Sequence, residues 1–134
     1  ISLSDSTFID LFSGSGSVGI EALSQGAKKV IFNDKDQDNL FYIKNFVVRA
    51  GLKNYELHNY DSYNLNLSIL KDVDIAFVDP PYDHNLQLIE ENIYTKIRKE
   101  SLLILETNQK YSHSEIILEK KYKNKYLYFL KKSI

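Results

Sequence analysis

Short apolar runs alternate with amphipathic stretches along most of this chain, and the two periods predict strands and helices in turn. Residues 8–12 are apolar except for Asp10 and predict a buried strand. A turn from Gly14 to Gly19 leads into a helix over 18–25, with Gly26 at its C-terminal cap. Residues 29–33 predict a second strand. Asp36 then caps a helix running to Ala50, with Leu40, Ile43 and Val47 on one face and Gly51 ending it. A third strand over 55–59, a weaker helix over 65–71 and a fourth strand over 73–78 follow. That last strand runs straight into Asp79-Pro80-Pro81-Tyr82. Ile89, Ile93 and Ile97 recur at spacing four and predict a helix over 86–99, ahead of a fifth strand over 102–106.

Beyond Tyr111 the texture changes. Residues 115–119 and 126–130 read as strands joined by the polar stretch 122–125, and with no helix between them they must pair as an antiparallel hairpin. The order βαβαβαβαβ followed by ββ predicts an α/β fold, a doubly wound, Rossmann-like parallel sheet with a C-terminal antiparallel hairpin. At 134 residues and 15.6 kDa, 43% hydrophobic and 26% charged, the chain is expected to form one domain over 1–134. It opens at Ile1 rather than methionine, and so reads as N-terminally truncated. The absence of cysteine removes disulfide scaffolds, thiolate metal sites and cysteine catalysis, and fits a reducing cytoplasm. No apolar run approaches the ~18 residues of a membrane span. A net charge of −1 gives no overall field toward nucleic acid, and the lysine-rich stretch after Lys110 reads as a solvated face.

The glycines concentrate chemistry. Gly14, Gly16 and Gly19 stand between a strand and a helix, where glycine permits positive φ and close backbone approach, and the helix start offers free amides to a polar ligand. Asp34 closes the second strand, placed to accept hydrogen bonds from ribose hydroxyls. Asp10, at the end of the first strand, repels a pyrophosphate and suits a cationic ligand such as S-adenosylmethionine, with its sulfonium and ammonium. Asp61, just past the third strand, is a candidate for the adenine amino group. The turn lacks the Lys and Ser/Thr of a phosphate P-loop, because Ile20 and Glu21 stand there.

The only two prolines adjoin, and they force the chain out of the sheet directly after Val78. Asp79 and Tyr82 therefore lie at the carboxyl edge, beside the Gly14 turn. The Asp79 carboxylate and the carbonyls fixed by Pro80 and Pro81 form an acceptor wall suited to an exocyclic amino group. Holding both N–H bonds favours the pyramidal, nucleophilic nitrogen as the transition state develops. Tyr82 offers a flat face on which a base can stack.

Together these residues carry a resemblance. Asp79-Pro80-Pro81-Tyr82 after an apolar strand, with Asp10 to Gly16 upstream, looks like the class I S-adenosylmethionine-dependent amino-methyltransferases. The run Asp10 to Gly26 resembles the bacterial RsmD-type 16S rRNA guanine-N2 methyltransferases, and Phe32-Asn33-Asp34-Lys35-Asp36 matches that family's acidic second-strand motif. Residues 119–122 and 126–130 resemble its closing hairpin. Two departures stand out: the family's N-terminal arm is not in this chain, and Lys123 follows Tyr122 where glycine is usual. The resemblance implies S-adenosylmethionine as cofactor and guanine N2 as acceptor, in 16S rRNA or a small-subunit assembly particle. It also implies a cytoplasmic monomer that needs no metal. Methyl transfer would be a direct in-line displacement, with Asp79 and the Pro80 carbonyl holding the amine and Tyr82 stacking the base.

Other readings remain open at this point. An adenine-N6 or cytosine-N4 nucleic-acid methylase keeps the chemistry and changes the base. A nicotinamide-dependent oxidoreductase fits the glycine spacing but leaves Asp10 and Asp79 unexplained, and a non-catalytic RNA-binding remnant fits the missing arm. His58, His84 and His113 show no metal-ligand spacing. Tyr122, Tyr126 and Tyr128 alternate as sheet packing would require, with base stacking the lesser reading.

Overall fold

Period-two alternation decides which side of the sheet each residue serves, and both sides are apolar. A computed structural model describes residues 2–65, 67–81 and 83–134. Among them, strands β1 (Thr7–Asp10), β2 (Lys29–Asn33), β3 (Tyr55–His58), β4 (Ile75–Val78), β5 (Leu102–Thr107), β6 (Ile116–Tyr122) and β7 (Lys125–Lys131) form one sheet, in the order β3-β2-β1-β4-β5-β7-β6. The first five run parallel, and β7 pairs antiparallel with both β5 and β6. Helices α1 (Ser17–Ser24) and α2 (Gln37–Arg49) cover one face, where Ala22, Leu23, Ile43 and Val47 pack on Phe8, Val30, Phe32 and Phe77. Helices α3 (Leu67–Leu70) and α4 (Leu86–Asn92) cover the other, where Leu70, Ile89 and Ile93 pack on Ile9, Leu11, Ala76 and Val78. Burial on both faces is why the central strands β1, β2 and β4 are almost continuously apolar, whereas the edge strand β3 is half-buried and the edge strand β6 largely exposed.

Two helices fall short of expectation. The helix predicted over 86–99 stops at Asn92, and a single 3-10 turn, Tyr94–Lys96, replaces its second half. Side chains compete with the backbone there. Asn92 donates to the Leu88 carbonyl (3.1 Å), Thr95 donates to the Glu91 carbonyl (2.6 Å), and Ile93 departs from helical geometry at φ −120°. Ile93 and Ile97 are nonetheless buried, so the spacing reported burial faithfully and helix length poorly. The helix predicted over 65–71 contracts to Leu67–Leu70.

The hairpin closes through two residues, Lys123 and Asn124, between the paired Tyr122 and Lys125. Lys123 takes φ +54°, which explains physically why a glycine suits that position. Crossovers leave β1 toward β2 and β4 toward β5, and the crevice at their carboxyl ends is the switch point where doubly wound sheets bind ligands.

Candidate active site at the switch point

The glycine turn is held by two carboxylates. Gly14 and Gly16 adopt φ +54° and +79°, and the Gly16 amide donates to the Ser13 carbonyl at 2.7 Å. Asp34 fastens the turn from β2, its Oδ2 accepting from the Gly14 amide at 2.7 Å and its Oδ1 from the Asp36 amide at 2.8 Å. Asp10 fastens it from below, accepting from the Gly19 amide at 3.1 Å. Gly19 packs so closely on Phe32 that an added Cβ would lie 2.4 Å from the ring. Burial pushes the Asp10 carboxyl up to about 7; the Gly19 amide opposes this, and the charges of Asp79 and Asp34 reinforce it.

A cavity of about 410 Å³, within the usual range for a small-molecule site, opens at the switch point. It brings together Gly14, Asp34, Asp61, Asp79, Pro80 and Pro81. Asp10, Gly16 and Gly19 stand behind its wall, shaping the turn. Asp61 caps a short helical turn, Ser62–Asn64, by accepting from the Tyr63 amide at 3.0 Å. Tyr82 lies outside the described residues.

The proline turn is braced from the far side. His84 Nδ1 lies 2.8 Å from the Pro81 carbonyl, which only accepts, so Nδ1 carries a proton. His84 Nε2 lies 2.8 Å from the Thr107 hydroxyl at the end of β5. Burial pushes Asp79 up to about 6, with the neighbouring Glu106 carboxyl adding to the shift. Burial acts the same way on Glu106, but hydrogen bonds from Tyr122 and Lys125 outweigh it and hold that group below the usual range. The Tyr122 hydroxyl donates to Glu106 at 2.6 Å and the Lys125 ammonium at 3.1 Å.

Sequence reasoning missed several residues here. Phe12, Lys35, Ser62 and Tyr63 also line the cavity. Asn33 is fully buried, and its amide donates to the carbonyls of Leu11 (3.2 Å) and Tyr60 (3.1 Å) and to the Ser62 hydroxyl (2.9 Å). It ties together three chain exits around the cavity. The only local signal was a polar residue ending an apolar strand. Glu106 showed no signal beyond its place at the end of β5. Among the tyrosines, Tyr128 is buried and accepts from the Tyr111 amide at 2.9 Å, Tyr126 stacks against it, and Tyr122 turns to Glu106. Among the described residues, no cluster of histidine and acidic side chains is arranged to hold a metal, and no helix is long and apolar enough to cross a membrane.

The sequence profile of the family described as conserved hypothetical protein 95 matches residues 2–131. The chain belongs to that family. Relatives of this conserved hypothetical protein 95 chain include two named ribosomal RNA small subunit methyltransferase D. The one from Haemophilus influenzae is 33% identical over 75% of this chain and 56% of its own length. The one from Buchnera aphidicola (from Acyrthosiphon pisum) is 30% identical over 82% of this chain and 60% of its own length. The chain thus spans little more than half of the curated relatives it matches. A solved structure of a candidate methylase from Haemophilus influenzae superposes with TM-score 0.78 at 27% identity, over 98% of this chain and 89% of that one. An RNA methyltransferase from Salinibacter ruber, solved with S-adenosyl-L-homocysteine, shares the fold with TM-score 0.78 at 14% identity, over 98% of this chain and 86% of that one. The fold is that of the class I methyltransferases, as the resemblance implied.

Proposed function

We propose that this chain transfers a methyl group from S-adenosylmethionine to the exocyclic N2 of a guanine in small-subunit ribosomal RNA. The observation that carries this reading is that Gly14 and Asp34 face Asp79, Pro80 and Pro81 across one cavity at the switch point. Membership of the family, and relatives named as rRNA methyltransferases, supply the nucleic acid.

The cavity suits the cofactor. Its walls carry Asp34, Asp61 and Asp79, with Asp10 behind them, a set that favours a cation and opposes the pyrophosphate of a nicotinamide dinucleotide. Asp34 would hold the ribose, Asp61 the adenine amino group, and the Gly14 turn the remainder. When bound, S-adenosylmethionine supplies an electrophilic methyl on a sulfonium.

The chain's own residues do the rest. Asp79 and the Pro80 carbonyl accept the two N–H bonds of the base amine and aim its lone pair into the cavity. Tyr82 supplies the stacking face in the reading made from sequence. As the new C–N bond forms and the C–S bond breaks, the nitrogen sheds one proton, and the Asp79 carboxylate accepts it. His84 keeps the Pro81 turn rigid while this happens. Positioning supplies most of the acceleration, and a paired target base must first leave its stack.

The test incubates the chain with tritiated S-adenosylmethionine and a transcribed small-subunit rRNA, then digests the RNA to nucleosides. The expected product is N2-methylguanosine. Asp79→Ala is expected to abolish transfer while cofactor binding, read by calorimetry, weakens by only about tenfold, because Asp79 is one of several carboxylates around the cation but the one acceptor side chain proposed for the base amine. Undiminished transfer by that variant would overturn the role of Asp79.

A further inference from the structure

Behind Asp79 lies a second, smaller cleft of about 220 Å³. Among the described residues, Asp79 and Pro80 belong to both spaces, so this cleft meets the cofactor cavity where methyl transfer must occur. Its other walls are His84, whose ring nitrogens are taken up by the Pro81 carbonyl and the Thr107 hydroxyl, and the end of β5 and start of β7, with Glu106, Asn108 and Lys125. The polar atoms follow an order. Glu106 stands between the other two charged groups, within hydrogen-bonding reach of Asp79 on one side and 3.1 Å from the Lys125 ammonium on the other. The Tyr122 hydroxyl, donating to Oε1 at 2.6 Å, fixes the orientation of the Glu106 carboxylate. With both carboxyls ionised, the cleft presents acceptor, acceptor, donor.

The pairing edges of the bases differ in the same terms. Guanine offers its N2 amine and N1–H as adjacent donors, then O6 as acceptor. Adenine offers an amine and then an unprotonated N1, and cytosine an amine and then an unprotonated N3. Each of these sets a lone pair against the Glu106 carboxylate. Resting on the methyl-transfer reading above, we infer that Glu106 and Lys125 select guanine, with Glu106 accepting from N1–H and Lys125 donating to O6 while Asp79 holds the N2 amine.

A further consideration fits. Two carboxyls this close repel when both are ionised, and two adjacent base N–H groups would relieve that repulsion, whereas a base lone pair would add to it.

The experiment first maps the methylated position, then compares two small-subunit rRNA transcripts assembled by ligation around a synthetic segment that carries guanine or 2,6-diaminopurine at that position. Diaminopurine keeps the 2-amine but carries a lone pair at N1 and an amine in place of O6. The wild-type chain is expected to methylate the guanine transcript at least about 100-fold better in kcat/KM, the scale of rejection by an unpaired buried polar group. Glu106→Gln turns a donor toward N1 and is expected to lose about 100-fold on guanine while gaining on diaminopurine. Its S-adenosylmethionine affinity and its melting temperature should match those of the wild type. A Glu106→Gln variant that loses activity equally on both transcripts has only a structural defect and overturns the assignment. So does one that keeps full activity on guanine. A wild-type chain that methylates adenine or cytosine instead overturns the guanine edge and leaves methyl transfer standing; one that methylates nothing overturns both.

Discussion

Gly14 and Gly19 belong to one turn and its helix, yet a methyl group added at each meets different surroundings. At Gly14 an added Cβ finds nothing within 4 Å, so Gly14→Ala carries only the strain of φ +54°, about 1 kcal/mol. At Gly19 the backbone is ordinary, but the Cβ would collide with the fully buried Phe32 ring and press on the Asp10 carboxylate. Gly19→Ala is expected to lose about 2–3 kcal/mol, the cost of overpacking a close-packed core. Urea denaturation of both variants checks the ranking, and a Gly14→Ala that destabilises more would contradict it. The sequence singled out both glycines by position but could not tell which was needed for φ and which for space. Asn33 was invisible for a related reason, since its partners lie 22, 27 and 29 residues away and only the folded sheet assembles them. Asn33→Ala leaves those groups with one partner fewer and is expected to cost about 2 kcal/mol, with weaker cofactor binding.

At the scale of elements, the central strands β1, β2 and β4 were legible because burial on both faces writes nearly continuous apolar runs. The α4 boundary was not, because Asn92 and Thr95 end it through local side-chain bonds that leave the apolar spacing intact. The hairpin was legible as a pair joined near 122–125, but its exact two-residue turn was not, since lysine does not itself favour the left-handed backbone that Lys123 adopts. Lys123 bears φ +54° with a full side chain, and Lys123→Gly removes that strain. It should stabilise the chain by about 0.5–1 kcal/mol after the extra unfolded-state entropy of glycine is subtracted. A shift of the urea midpoint to higher concentration, with unchanged slope, is the expected result.

Across the whole molecule, a net charge of −1 conceals a local concentration of acid: Asp10, Asp34, Asp61 and Asp79 gather at or behind the switch-point cavity. This gives two pH dependences of opposite sign. Asp10 is raised from 3.8 to about 7 in the folded chain, mainly by burial, so folding favours its protonated form. Its contribution to stability is complete below about pH 4 and is lost as pH rises to about 7, a change of at most about 4 kcal/mol. Asp79, raised to about 6, acts in the same direction. A cationic cofactor reverses the preference, because its charge favours ionised carboxylates. S-adenosylmethionine affinity is therefore expected to rise between about pH 5 and 7, with up to about one proton released per molecule bound. Calorimetry in buffers of different ionisation enthalpy measures that proton directly, and urea denaturation over the same range measures the stability. Asp10→Asn should flatten much of both curves together, as one buried group demands. An affinity that falls with pH alongside the stability would mean that the acid ring does not face the cation.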